Sequence, residues 1–233
     1  RRSSDLLVVY ESYLTPRTVL EIDLRTDERE VLRRVPVLGD YDPTAYVQRR
    51  LWATAPDGTR IPVSLVTAVG AEPDGSHAGF LTGYGSYEHA HDPYFSIARL
   101  SLLERGVGFA VAHVRGGGEM GRQWYDEGKL LHKRNTFTDF VAAAEHLVDE
   151  GWVARERLAA YGGSAGGLLM GAVANIAPDL FRVVHADVPF VDALTTILDP
   201  TLPLTVVEWE EWGDPLHDPD VYAYMRAYSP YEN

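Results

Sequence analysis

The sequence contains no cysteine, which excludes a disulfide framework, a thiolate zinc site and a cysteine nucleophile. It also lacks a run of about 18 apolar residues, the length of a membrane-spanning helix, and no signal-peptide core follows residues 1–5. Positive charge is scarce, since 21 Lys and Arg stand against 34 Asp and Glu, for a formal net charge of −13. No basic cluster with interleaved aromatics is present, so neither nucleic acid nor membrane is an expected partner. We expect a soluble cytoplasmic protein, and its acidity fits a cationic substrate.

The 233 residues, 45% of them hydrophobic, suffice for one large α/β domain or for one domain with a fragment of another. Residues 1–40 differ from the rest, because 6–13, 18–24 and 30–35 are typical of three short strands with turns between them. Three strands cannot bury a core of their own. The pattern predicts the end of an all-β domain, followed by a Pro- and Gly-containing linker at 35–43.

From residue 46 the pattern changes to alternating strands and helices. Residues 48–55 and 60–68 predict a hairpin around Pro56-Asp57-Gly58. The segments after it predict strands at 78–82, 106–114, 157–161 and 181–188, and helices at 97–105, 135–150 and 168–175. This alternation predicts a doubly wound, mostly parallel sheet that binds ligands at the carboxyl ends of its strands.

The pattern Gly-x-Ser-x-Gly at residues 162–166 places Ser164 between a predicted strand and a predicted helix. Such a turn brings the strand and helix backbones close together, which requires residues without side chains at Gly162 and Gly166. The free N–H groups at the start of the helix would favour an oxyanion. Taken alone, the pattern also occurs in ordinary glycine-rich loops; the strand, turn and helix around it favour a nucleophile.

Other polar residues receive a structural interpretation. The histidines do not have metal-ligand spacing, and residues 113–118 lack the lysine of a phosphate-binding loop. We therefore expect no metal and no cofactor. The acids and tryptophans of 208–212 allow two interpretations, an exposed helix resting on a core or a site where a guanidinium pairs with a carboxylate and stacks on a ring.

Taken together, the residues from about 46 onward resemble the oligopeptidase B branch of the prolyl oligopeptidase family of serine peptidases. The runs that carry the resemblance are 83–87 (GYGSY), 99–103 (RLSLL), 113–122 (HVRGGGEMGR), 135–137 (NTF), 162–170 (GGSAGGLLM), 188–192 (VPFVD), 203–205 (PLT), 208–213 (EWEEWG) and 228–231 (YSPY). The resemblance implies an α/β-hydrolase peptidase domain over 45–233, incomplete at its C-terminal end. Residues 1–40 would be the C-terminal remnant of a β-propeller.

For the reaction, the resemblance implies a serine endopeptidase that cuts short peptides after Arg or Lys. Ser164 matches the nucleophile that forms the acyl-enzyme. The Tyr84 hydroxyl and the Ala165 N–H match the two donors to the oxyanion, a task suited to the strong, directional phenol O–H.

For substrate binding, the resemblance implies that short basic peptides are the partners. Tyr87 matches an aromatic residue lining the pocket for the side chain before the cut bond, and Glu208 and Glu210 match the acidic pair that holds this side chain. Asp92 matches an acidic residue of the neighbouring subsite.

Three positions depart from the family pattern. Thr82 stands where tyrosine is usual, and Glu88 stands where glycine usually follows the Gly-Ser-Tyr run, so Glu88 would narrow or recharge the edge of the pocket. Tyr94 occupies a position where some members carry a second acid, which weakens the expected preference of the neighbouring subsite for a basic residue.

In this fold the catalytic acid and histidine follow the serine on later loops, and the resemblance places neither of them within the 233 residues. Asp199 and His217 have the right order, but they precede the strands expected to carry those residues. We expect an interior piece of a longer peptidase that is nearly inactive alone, because a serine without its base is a poor nucleophile.

Two alternatives stay open at this point. One is a different α/β-hydrolase, an esterase or an acylaminoacyl peptidase. The other is a non-catalytic module that binds basic peptides. Oligomeric state is not predicted.

Overall fold

The computed structural model describes residues 5–233. Its first part is an antiparallel sheet of β1 (Asp5–Tyr10), β2 (Thr18–Asp23) and β3 (Arg29–Arg34), in that order. These strands confirm the predicted meander, although β1 is shorter than predicted. All of β3 and most of β1 are exposed, because three strands are too few to enclose a core. The assignment of this sheet to a propeller remains a prediction.

The segments on either side of this small sheet are docked on the rest of the chain. Tyr13, which follows β1, is buried in an apolar cluster with Val66 and Phe109. The Tyr41 hydroxyl of the predicted linker donates to the Leu14 carbonyl at 2.5 Å. The linker therefore forms no strand, as predicted, but the Tyr41 side chain attaches it to residue 14.

The larger sheet has six strands in the order β4-β5-β7-β6-β8-β9. Its first two strands form the predicted antiparallel hairpin, and the other four run parallel to one another. The strands are β4 (Tyr46–Thr54), β5 (Arg60–Ala68), β6 (Ala78–Thr82), β7 (Val107–Ala112), β8 (Leu158–Gly163) and β9 (Val183–Asp187). Because β5 pairs antiparallel with β7, the sheet is mixed, with its parallel part at the side of β8.

Helices cover both faces of this sheet. The helices are α1 (Ile97–Leu103), α2 (Arg122–Asp126), α3 (Arg134–Asp149), α4 (Ala165–Ile176), α5 (Ala193–Leu198), α6 (Thr205–Trp212) and α7 (Pro219–Arg226). Leu100 and Leu103 of α1 pack on one face, whereas Phe137 and Phe140 of α3 and Leu168 of α4 lie in the core of the other. The predicted doubly wound α/β fold is therefore confirmed. Within the described residues, no helix has the length and apolar character needed to cross a bilayer.

Sequence patterns predict neither α5 nor α7, and they leave α6 as one of two alternatives. All three helices follow β9 and join the main core through Leu194, Ile197, Trp212 and Met225. Their packing places α6 beside the carboxyl ends of the parallel strands, where it forms one wall of the pocket described below.

Two predictions about the sheet and its helices are wrong in detail. Helix α4 begins at Ala165 rather than at 168. The sequence pattern misses its first turn because Gly166 and Gly167 have low helix propensity. Strand β9 is predicted to be buried, yet Val183 is 54% and Val184 is 36% exposed. The cause is its place at the edge of the sheet, where the described residues cover it on one side only.

Candidate active site

Ser164 lies at the sharp turn between β8 and α4. Its backbone has φ 57° and ψ −118°, a conformation that few residues other than glycine adopt, and its side chain is exposed. Strain of this kind persists only where the surrounding structure enforces it, and it is common at reactive residues. The turn thus presents the hydroxyl at the carboxyl end of the parallel strands, as predicted.

The glycines beside Ser164 are required by backbone contacts. A Cβ on Gly162 would lie 2.2 Å from the Gly166 carbonyl oxygen, and a Cβ on Gly166 would lie 2.9 Å from the Gly83 carbonyl oxygen. These distances confirm the steric argument for the Gly-x-Ser-x-Gly pattern. They also bring the residue after β6 close to the nucleophile.

Two hydrogen-bond donors converge near Ser164. The Ala165 N–H belongs to the first turn of α4, where backbone donors have no partner within the helix. Tyr84 follows β6, and its phenol lies near the Ser164 side chain. Burial raises the pKa of Tyr84 and the nearby Ser164 side chain offsets part of the increase, so the phenol stays protonated at neutral pH. The two predicted oxyanion donors therefore lie together with the predicted nucleophile.

A pocket of about 300 Å³ opens beside Ser164 and is walled by α6. Glu208 lines this pocket together with Ser164 and Tyr87. Its Oε2 accepts hydrogen bonds from the Tyr87 hydroxyl at 2.7 Å and from the Trp212 indole N–H at 2.8 Å. Burial and the bond to Glu208 raise the pKa of Tyr87, which fixes the phenol as the donor of this pair.

Glu210 does not line this pocket. It is exposed, and it lies two residues beyond Glu208 on α6, which corresponds to about 200° around the helix axis. The structure therefore does not bring the two predicted acids together, and a role for Glu210 in binding remains a prediction.

The acid that does share a face with Glu208 is Glu211, which sequence reasoning missed. Its carboxylate is buried, and it accepts hydrogen bonds from the Tyr87 N–H at 3.1 Å and from the Tyr125 hydroxyl at 2.7 Å. The signal was the spacing 208, 211, 212, because positions i, i+3 and i+4 lie on one side of a helix.

Asp92 lines a second, open cleft that shares Tyr87 with the pocket of Glu208. This cleft of about 640 Å³ is bounded by Tyr84, Tyr87, Glu88 and Asp92 among others. Glu88 Oε2 lies 3.3 Å from Arg122 Nη1 at the surface. Both Glu88 and Asp92 therefore add negative charge next to the pocket of Glu208.

The other departures from the family pattern lie farther back. Thr82 and Tyr94 line a space of about 240 Å³ against the face of the sheet covered by α1, and Asp92 lines this space as well. Tyr94 therefore belongs to a different cavity from that of Glu88.

A family model described as the prolyl oligopeptidase family matches residues 93–233, more than half of the chain. The chain belongs to the prolyl oligopeptidase family. "Protease 2" of Moraxella lacunata is 51% identical over 231 residues, covering 99% of this chain and 33% of that protein. "Dipeptidyl aminopeptidase BI" of Pseudoxanthomonas mexicana is 53% identical over 225 residues, covering 96% of this chain and 31% of that protein.

Solved structures of the family show the same fold. Oligopeptidase B from Leishmania major matches with a TM-score of 0.92 at 47% identity, over 100% of this chain and 32% of that one. Oligopeptidase B from Trypanosoma brucei, in a closed form with covalently bound antipain, matches with a TM-score of 0.92 at 48% identity, over 99% of this chain and 32% of that one. The chain thus spans about a third of the length of these relatives.

Asp199 and His217 follow Ser164 in the order expected for a catalytic acid and a catalytic histidine. In the structure, each of them is bonded to a different residue. Asp199 Oδ1 accepts from the Thr201 hydroxyl at 2.6 Å, and His217 Nδ1 lies 2.8 Å from Asp214 Oδ2. Within residues 5–233, no histidine ring is hydrogen-bonded to the Ser164 hydroxyl. The described residues therefore bring together the predicted nucleophile and the predicted oxyanion donors, without a histidine hydrogen-bonded to Ser164.

The described residues were also compared with the ligand arrangements of metal sites. Among residues 5–233, no group of three His, Asp or Glu side chains is arranged to hold a metal ion. The polar groups around Ser164 are a phenol, a backbone N–H and carboxylates, which suit acyl transfer to a serine.

Proposed function

We propose that the protein containing this chain is a serine endopeptidase that cleaves short peptides after Arg or Lys through an acyl-enzyme on Ser164. The observation that carries the proposal is that the half-buried carboxylate of Glu208 and the exposed hydroxyl of Ser164 line one pocket. A basic side chain paired with this carboxylate has its own carbonyl group next to the serine.

The pocket combines the carboxylate of Glu208 with the aromatic rings of Tyr87 and Phe190, which line it as well. Tyr87 packs edge-on against Trp212 at 5.7 Å between ring centroids, and Phe190 lies 5.5 Å from the same indole. Aromatic faces attract a guanidinium and carboxylates pair with it, so the two kinds of group together favour Arg. Because Tyr87 and Trp212 occupy Oε2 of Glu208, Oε1 remains for the substrate.

The reaction follows from the groups around Ser164. Its Oγ bonds to the carbonyl carbon while a base removes the hydroxyl proton, and the carbonyl electron pair moves onto the oxygen. The Tyr84 hydroxyl and the Ala165 N–H stabilise this oxyanion. Collapse of the intermediate breaks the C–N bond and releases the amine, which takes up the proton, and water then hydrolyses the ester.

The base and its acid partner come, in this proposal, from outside residues 5–233. Support comes from the absence of a histidine in contact with Ser164 and from relatives about three times as long as this chain. A general base contributes about 10²–10⁴-fold to such a reaction, so these residues alone would be slow.

At the neighbouring cleft, Asp92 favours a basic residue in the peptide. Glu88 supplies a second carboxylate to the same cleft, although it shares its charge with Arg122. The proposed substrates are therefore short peptides with one or two basic residues before the cut bond.

The test compares a fluorogenic peptide ending in Arg with a simple acyl ester on the full-length protein. We expect turnover of the Arg peptide that Ser164→Ala abolishes, and turnover at least about 10²-fold slower with residues 1–233 alone. Hydrolysis of the ester without the Arg peptide would instead indicate an esterase. Binding of the Arg peptide without turnover would indicate a non-catalytic module.

A further inference from the structure

The segment that carries both pocket tyrosines has a strained backbone. Tyr87 and Glu88 have φ values of 59° and 56°, and the His89 N–H donates to the Ser86 carbonyl at 3.0 Å. Two central residues with positive φ are the feature of a type I′ turn, which favours Gly, Asn and Asp. Neither Tyr nor Glu is intrinsically suited to this turn, so surrounding contacts must hold it.

Lys133 makes the contacts on one side of this turn. Its ammonium donates to the Gly85 carbonyl and to the Ser86 hydroxyl, both at 2.6 Å. The side chain is only 1% exposed, and it lies against the Trp212 ring with Nζ 4.9 Å from the ring centroid. A buried charge is costly unless it is paired, so this lysine needs a specific environment.

Glu211 supplies the opposite charge and the contact on the other side. Its Oε1 lies 3.9 Å from Lys133 Nζ and accepts the Tyr87 N–H at 3.1 Å. Its Oε2 accepts the Tyr125 hydroxyl at 2.7 Å. The turn is therefore bonded at three consecutive residues, Gly85 to Tyr87, by one buried ion pair.

The same turn determines where two functional hydroxyls lie. Tyr84, two residues before it, lies near the Ser164 side chain, and Tyr87, within it, donates to Glu208. A shift of the backbone at this turn would move an oxyanion donor and a wall of the pocket together. Displacements of about 1 Å at reacting groups can cost about 10²-fold in rate.

We propose that Lys133 and Glu211 are positioning residues, which hold the turn after β6 so that Tyr84 reaches the oxyanion and Tyr87 orients Glu208. This inference rests on the proposed function of Ser164. It assigns to Glu211 a role distinct from binding the substrate, since its carboxylate is buried and bonded to the protein.

The decisive variant is the double substitution Lys133→Met with Glu211→Leu. Replacing a buried ion pair by apolar residues of similar volume is often neutral for stability, whereas removing one member leaves an unpaired charge. The double variant therefore removes the bonds to the turn without leaving a buried charge unpaired, although the Gly85 carbonyl, the Tyr87 N–H and the Tyr125 hydroxyl lose a partner. The matched control is Arg134→Met, which removes a cation from the exposed neighbouring position.

Active sites in the full-length protein are counted by labelling Ser164 to completion with a serine-reactive phosphonate, and rates are expressed per labelled site. In the double variant we expect kcat for the Arg peptide and for a small acyl ester to fall about 10²-fold, with KM raised for the Arg peptide only. The midpoint of urea unfolding should fall in the double variant, because hydrogen-bonding partners are lost, and the control variant should keep wild-type kinetics and midpoint.

Wild-type kcat and KM per labelled site in the double variant would overturn the inference. So would an activity loss that matches the loss of labelled sites, since that describes a purely structural pair. The rate of phosphonate labelling reports on the oxyanion donors without any peptide. It therefore tests the inference even if Arg peptides prove not to be substrates, which would refute only the proposed function.

Discussion

Glu208→Gln changes the charge of the proposed specificity pocket while keeping its shape. The glutamine oxygen can still accept from the Tyr87 hydroxyl and the Trp212 indole, the two donors that hold Oε2 at 2.7 and 2.8 Å. The amide NH₂ then takes the place of Oε1 and faces the basic side chain. A charge-assisted hydrogen bond is thus lost without creating a cavity.

The magnitude follows from the strength of such a bond. Hydrogen bonds to charged groups contribute about 1.5–3 kcal/mol, which corresponds to about 10- to 150-fold in kcat/KM for an Arg peptide. Glu208 contacts the side chain rather than the reacting carbonyl, so most of the loss should appear as a higher KM. The lower end of the range is the better expectation, because the carboxylate is only half-buried and solvent weakens its field.

The assay compares matched fluorogenic peptides carrying Arg or the neutral isostere citrulline, with the full-length protein. Glu208→Gln should reduce kcat/KM for Arg and leave citrulline nearly unchanged, so that the preference between them collapses. Glu210→Gln should have a smaller effect, since that carboxylate is exposed and outside the pocket. Equal losses for Arg and citrulline, or no loss for Arg, would refute the reasoning about Glu208.

Four further outcomes are expected. Tyr84→Phe removes an oxyanion donor and should lower kcat about 10²–10³-fold with little change in KM, measured by steady-state kinetics. Glu88→Gly relieves the left-handed backbone at φ 56° and should raise the unfolding free energy by about 0.5–1 kcal/mol in urea titrations. Asp139→Asn disrupts the buried bidentate pair with Arg115, whose two bonds to Asp139 measure 2.9 and 2.7 Å, and should lower the unfolding free energy by about 3–5 kcal/mol in the same titrations. Burial lowers the pKa of Lys133 from 10.5 to about 8. Between about pH 8 and 10.5 the unfolded chain therefore binds more protons at this group, and stability should rise with pH by up to about 1.4 kcal/mol per unit, an increase that a Lys133→Met variant should lack.

The sequence alone predicts the nucleophile and its turn because steric demands there are local. Gly162 is required by the Gly166 carbonyl four residues later, which needs no knowledge of the fold, whereas Gly166 is required by the distant Gly83 carbonyl after β6. The strand before Ser164, β8, is likewise a short apolar run that is visible in the local sequence. Tyr84 is different, since only the parallel pairing of β6 with β8 brings it to the serine, and its place came from the family resemblance.

The substrate pocket could not be predicted in the same way. Which acids face the pocket depends on where α6 begins. This helix has eight residues and follows Leu204, whose φ is 75°. Spacing separates Glu208 from Glu210 only once the segment is known to be a helix. The exposure of β9 could not be predicted either. Its two adjacent valines indicate that an apolar segment covers the strand, but they do not indicate which segment that is.

A second serine in this chain shows why side-chain chemistry alone does not identify a nucleophile. Ser64 Oγ lies 2.9 Å from His113 Nε2, and His113 Nδ1 lies 3.2 Å from Glu119 Oε1, which is the hydrogen-bond order of a catalytic triad. Yet Ser64 is 1% and His113 is 3% exposed, within a sheet covered on both faces. A peptide carbonyl cannot approach within the 3–3.5 Å or so that attack requires. Ser164 has no histidine bonded to it in the described residues, but it is exposed, lies on a strained turn and is near the two predicted oxyanion donors. Placement at the carboxyl end of a strand, rather than the presence of a relay, therefore decides which serine can react.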